Sequence, residues 1–110
     1  MRDKSGKQFD LKQGKGGIVD IEFLVQYGVL RWASEYPDLL DTTGVLPSLQ
    51  LFAEHQILDE EATQQLSEAY RIYRAATHQL VLQNKKALVA DDKYVEHRKV
   101  VGKLWDINLF

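Results

Sequence analysis

Between Gly14 and Gln26 the sequence sets a glycine-rich turn directly before a helix that carries acids among hydrophobes. Gly14-Lys15-Gly16-Gly17 offers backbone amides beside a helix start, a combination that can meet an anion. The same four residues also suit a flexible entry into the helix, and both uses stay open. Asp20, Glu22 and Gln26 follow within an otherwise apolar run. Carboxylates on a helix meant for burial are costly unless they are paired or face a polar cavity. Asp20 and Arg31 fall about 20° apart round a helix of ~3.6 residues per turn, so they can pair on its outer face. Glu22 and Gln26, four residues apart, share a different face and read as the wall of a site.

Other catalytic templates fail. The glycine turn lacks the spacer and the Lys-Ser/Thr ending of a P-loop. No buried strand precedes it and its glycine spacing is wrong for a dinucleotide fingerprint. His55, His78 and His97 have no ligand partner at helical spacing, so no metal site is expected. No Gly-x-Ser-x-Gly elbow occurs, and none of Ser5, Ser34, Ser48 or Ser67 has a recognisable base nearby. Glu68, Arg71 and Arg74 read as a solvated face, and Tyr70, Tyr73 and Trp105 as core.

Composition narrows the class further. The chain has 110 residues, 14 basic against 16 acidic, and no cysteine. The near balance of charge argues against a nucleic-acid or anionic-membrane binder, and the missing cysteines exclude disulfides and thiolate metal sites. Neither a long apolar span nor a secretory leader is present, which fits a cytoplasmic protein.

The elements that must position these residues are helical, because the apolar residues recur at helical period. Phe9-Asp10-Leu11-Lys12 can be extended. A first helix over residues 18 to about 35, ended by Pro37, is apolar on most sides and is expected to lie sandwiched between neighbours. A second covers about 46 to 56, with Thr43 as a possible cap and Pro47 in its first turn. Asp59 caps a third helix, closed by Asn84-Lys85-Lys86. Its seam of Ala62, Leu66, Ala69, Tyr73, Ala76 and Leu80 alternates small and large residues. Asp91 or Asp92 caps a fourth helix to about residue 108, with Tyr94, Val101, Leu104 and Trp105 inward. The fold class is all-α, an antiparallel four-helix bundle, in which residues 1–17 form a polar lead and glycine turn and 18–110 the bundle. Residues before Phe9 are expected to be mobile.

The run Phe9-Asp10-Leu11-Lys12-Gln13-Gly14-Lys15-Gly16-Gly17-Ile18-Val19-Asp20-Ile21-Glu22-Phe23, continued by Gln26-Tyr27, resembles the signature of the glutamine synthetase adenylyltransferase family. Members are long bifunctional enzymes with two nucleotidyltransferase halves, one removing AMP from glutamine synthetase and one adding it to a tyrosine. The motif opens the helical domain that follows a nucleotidyltransferase domain, and Asp20 in its Gly-Gly-Ile-x-Asp-Ile-Glu-Phe form resembles the adenylylating half. Gly28 departs from the family, where a large apolar residue is usual, and a close neighbour is expected there.

The resemblance implies ATP and Mg²⁺ as cofactors of the full enzyme. It implies as partners glutamine synthetase, the PII signal protein and the nucleotidyltransferase domain of the same chain. Lys12 and the amides of Gly16 and Gly17 would cradle phosphate oxygens. Asp20, Glu22 and Gln26 would face the nucleotide or the cleft. Catalytic metal ligands are absent from these residues: no Gly-Ser pair and no Asp-x-Asp triplet occurs. The chain therefore reads as part of an enzyme, with Met1 an internal or artificial start and no cofactor bound to it alone. A regulatory or docking module is the alternative, and a free-standing relative that lost its catalytic domain a third.

Overall fold

The structure, a computed structural model, describes residues 8–106. In chain order it contains β1 (Gln8–Asp10), α1 (Ile18–Trp32), a 3-10 turn (Pro37–Leu39), α2 (Val45–Glu54), α3 (Glu60–Leu82), β2 (Leu88–Ala90) and α4 (Val95–Asp106). Four helices hold most of the described residues, so the helical class and the helix count stand. The expectations of a mobile start and of helix as far as residue 108 fall on residues outside those described.

α3 is the element the others pack on, touching α1, α2 and α4. The Asp59 carboxylate accepts from the Ala62 amide at 2.6 Å, while Glu60 and Glu61 meet the positive end of the helix. Its far end closes in a Schellman arrangement: Asn84 takes a φ of 60°, and Lys85 N donates to Leu80 O at 2.8 Å. Between these ends Ala62, Leu66, Ala69 and Tyr73 are buried, while Ala76 and Leu80 are half-buried at the seam's end. Leu49 and Phe52 from α2 and Val101 and Leu104 from α4 complete the core.

The residues before α1 contribute to the same core. Phe9 and Leu11 are buried, with the Phe9 ring 5.9 Å from that of Tyr73. β1 pairs antiparallel with β2, Phe9 opposite Val89, and Leu11 N extends the ladder to Ala87 O at 2.9 Å. Of the stretch expected to be extended, Phe9 and Asp10 lie in β1, whereas Leu11 and Lys12 already belong to the turn. The partner strand β2 was missed, because three residues show no alternation and the pairing spans some eighty positions.

Several boundaries move for physical reasons. α2 begins after Gly44 (φ 98°) rather than Thr43, with Pro47 still in its first turn. It stops at Glu54 because Gln56 adopts φ 61° and Ile57 N returns to Phe52 O at 2.8 Å. α1 ends at Trp32, and Pro37 opens the 3-10 turn that buries Leu39. Asp91 and Asp92 do not cap α4. They lie in a turn after β2, Tyr94 takes φ 59°, and the helix starts only at Val95.

α1 is not sandwiched. Ile18, Ile21, Leu24, Val25 and Gly28 are buried, but Phe23 (55% exposed) and Leu30 (82%) face outward. Trp105 is also less enclosed than expected, lying at the surface with its indole N–H on Asp20 O at 3.0 Å. Gly28 lies on the buried face of α1.

Candidate functional site

The glycine turn is built from its own hydrogen bonds. The Asp10 carboxylate accepts from Lys12 N (2.9 Å) and Gln13 N (3.0 Å), and Asp10 O accepts from Gly14 N (2.8 Å). Ile18 N and Val19 N, which would be unpaired at a free helix start, donate to Leu11 O and Lys12 O at 2.9 and 2.8 Å. Gly16 N donates to the Asp20 carboxylate at 2.7 Å, and Gly17 N to Gly14 O at 2.9 Å. The amides expected to cradle phosphate are therefore committed inside the turn, which corrects that reading of Gly16 and Gly17.

The glycines answer to packing. A side chain on Gly16, at φ 82°, would place Cβ 2.7 Å from Arg98 O of α4. On Gly14 it would meet Asp10 O at 2.6 Å and the Phe9 ring at 2.7 Å, and on Gly17 it would meet Leu11 O at 2.7 Å. The turn is wedged between β1 and α4, and at positions 14, 16 and 17 a Cβ would run into neighbouring backbone.

Asp20 does not pair with Arg31. Its carboxylate holds the turn, and the Arg31 guanidinium lies 4.5 Å from the centre of the Trp32 ring. Arg98 ties α4 to β1: its guanidinium is 4.0 Å from the centre of the Phe9 ring and donates to Asp91 O at 2.6 Å. Below it, burial pushes the Tyr73 phenol well above its ordinary range, opposed in part by the Arg98 charge. The Tyr73 hydroxyl is buried without a hydrogen-bond partner.

Glu22 and Gln26 do come together. Both line a groove of about 410 Å³ between α1 and the start of α2, with Val25, Val29, Thr42 and Ser48. Phe23 and Leu30 stand exposed on the same helix. Lys12 is exposed on the turn, and neither it nor Gly16, Gly17 or Asp20 lines this groove. The groove can hold a polar group between a carboxylate and an amide beside an apolar wall. Among the described residues, no three carboxylate or imidazole side chains converge as a metal would require.

His55 has a partner after all. Its Nε2 lies 2.9 and 3.0 Å from the Asp38 oxygens, and its ring stacks on Tyr36 with centroids 4.1 Å apart. Asp38 is seventeen residues away across a turn, beyond the reach of helical spacing. No described helix is long and apolar enough to cross a membrane.

Comparison with known proteins adds a strong likeness. The family model described as GlnD PII-uridylyltransferase matches residues 1–105. The bifunctional glutamine synthetase adenylyltransferase/adenylyl-removing enzyme of Nitrosococcus oceani is 48% identical over 100 residues, which is 91% of this chain and 10% of that protein. The proteins of the same name from Hahella chejuensis and Pseudomonas aeruginosa are 41% and 42% identical. They cover 94% and 88% of this chain, and 11% and 10% of their own lengths. The chain spans about a tenth of the length of the curated relatives it matches.

Proposed function

The chain belongs to the GlnD PII-uridylyltransferase family, and from that premise we propose that it is the helical domain of a glutamine synthetase adenylyltransferase. That enzyme moves AMP from ATP to a tyrosine of glutamine synthetase and removes it again, in the cytoplasm, to regulate nitrogen assimilation. The four described helices of this chain form an antiparallel bundle of the nucleotidyltransferase helical-domain type, with β1 and the glycine turn packed against it. The observation that carries the reading is the uncovered face of α1. A groove holding Glu22 and Gln26 lies beside exposed Phe23 and Leu30, in a chain one-tenth the length of its relatives. An exposed apolar stripe rimmed by polar groups marks a contact surface.

In the intact enzyme this face packs beside the nucleotidyltransferase domain of the same polypeptide. Glu22 and Gln26 orient the nucleotide or a group of that domain. Lys12, exposed after β1, is available to a phosphate, whereas Gly16, Gly17 and Asp20 act by shaping the turn that starts α1. ATP and Mg²⁺ are held by the domain that carries the metal ligands, and the 110-residue chain alone transfers no AMP. In the intact enzyme, Glu22→Ala should lower AMP transfer strongly while thermal stability and capture of glutamine synthetase stay unchanged. Unchanged transfer would leave the motif a purely structural part.

The same exposed stripe also supports a second reading, a docking module for glutamine synthetase or PII. On that reading Phe23→Ser with Leu30→Ser abolishes capture of one of these proteins and leaves transfer to saturating glutamine synthetase intact.

A further inference from the structure

A second cavity, of about 600 Å³, lies between the glycine turn and α4. Its wall carries Lys15, Arg98, Lys99 and Lys103 against Asp91 and Asp106. Asp91 is already engaged, with its carboxylate 3.4 Å from Arg98 and its carbonyl on the same guanidinium. Lys15, Lys99 and Lys103 form no ion pair with any described carboxylate. Lys99 and Lys103 stand four apart on one helix, a spacing at which like charges repel. Gly16 packs against the Arg98 backbone so tightly that a Cβ would not fit, which keeps Lys15 beside α4. Three ammonium groups are thus gathered round a concavity at some expense to α4, and Asp106 is the one carboxylate on the wall not already engaged by Arg98.

We propose that this cavity binds an oligophosphate group, held by Lys15, Lys99 and Lys103. Arg98 is fixed by Asp91, the Lys93 carbonyl and the Phe9 ring, so no free guanidinium fork offers itself to a planar carboxylate. Three separate point charges suit a compact anion bearing several charges. The volume falls within the ~300–1,000 Å³ typical of small-molecule pockets. Asp91 and Asp106 interrupt the basic surface, which argues against an extended nucleic-acid track. The site is distinct from the α1 groove and does not depend on the enzymatic reading.

The test titrates the 110-residue chain at physiological ionic strength with inorganic triphosphate, ATP and adenosine in parallel, reading backbone amide shifts. Triphosphate and ATP should give saturable shifts at Lys15, Gly16, Lys99 and Gly102, and adenosine none. Lys99→Gln with Lys103→Gln, both exposed positions, should weaken binding by roughly tenfold or more. Lys86→Gln, exposed and outside the cavity wall, should leave it unchanged. Absence of saturable shifts with triphosphate overturns the proposal. So does equal weakening by Lys86→Gln, which marks general charge attraction, or binding of ATP with triphosphate silent, which makes the base the recognised group.

Discussion

Replacing Gly16 by alanine tests whether the glycine turn is a packing device. At φ 82° an L-residue costs about 1–2 kcal/mol relative to glycine. The new Cβ also meets Arg98 O at 2.7 Å and Arg98 Cα at 3.0 Å. These are backbone atoms of α4, which cannot rotate aside as a side-chain tip can. Overpacking of that kind adds about 1–3 kcal/mol. Alanine narrows the unfolded ensemble and returns about 0.4–1 kcal/mol. The net destabilisation is about 1–5 kcal/mol, a large part of the ~5–15 kcal/mol that holds a domain together. Urea unfolding followed by far-UV circular dichroism reads it directly. Gly102→Ala is the internal control: it lies within α4 with nothing inside 4 Å of its Cβ, so it should stabilise by about 0.8–1 kcal/mol. A Gly16→Ala change smaller than about 0.5 kcal/mol, or an equal loss at Gly102, would refute the wedge between turn and α4.

Other substitutions probe the core and its electrostatics. Leu66→Ala removes a fully buried side chain from the middle of α3 and should cost about 2–5 kcal/mol by the same unfolding assay. Asp59→Ala removes the cap on Ala62 N and should cost about 1 kcal/mol, with the helix content of the folded state retained. Tyr73 is held neutral by burial, so its folded pKa lies above the unfolded value. Its contribution is complete below about pH 10 and is lost above it, at about 1.4 kcal/mol per pH unit. Tyr73→Phe should therefore flatten the alkaline fall in stability. At neutral pH it should be neutral or stabilising, because the hydroxyl it removes has no partner.

The legible parts of the fold were those governed by one segment's own pattern. The α3 seam and its Asp59 cap could be read because burial period and capping chemistry agreed within that helix. β2 and the Asp38–His55 pair could not, because each depends on residues brought together from a distance. Gln56 ends α2 in a left-handed conformation that glycine usually signals, so the sequence gives no warning there. On α1, two apolar stripes were visible, but periodicity does not say which stripe finds neighbours. The site divided in the same way. Glu22 and Gln26 share a groove because helical spacing puts them on one face, whereas the glycine amides look free in sequence and are closed by Asp20 and Gly14. The charges of the α4 cavity were passed over because Lys15 and Lys99 become neighbours only through the close packing at Gly16.

On the proposed reading, the outer face of α1 packs against the rest of a longer enzyme. Thiol labelling of Phe23→Cys and Leu30→Cys tests it most directly, in the cysteine-free 110-residue chain and in an intact enzyme whose own cysteines have been replaced. Leu82→Cys, on a residue 70% exposed at the end of α3, is the reference. Labelling should be rapid at all three positions in the short chain, with strong protection of positions 23 and 30 but not 82 in the intact enzyme. Equal labelling at positions 23 and 30 in both proteins would contradict that packing.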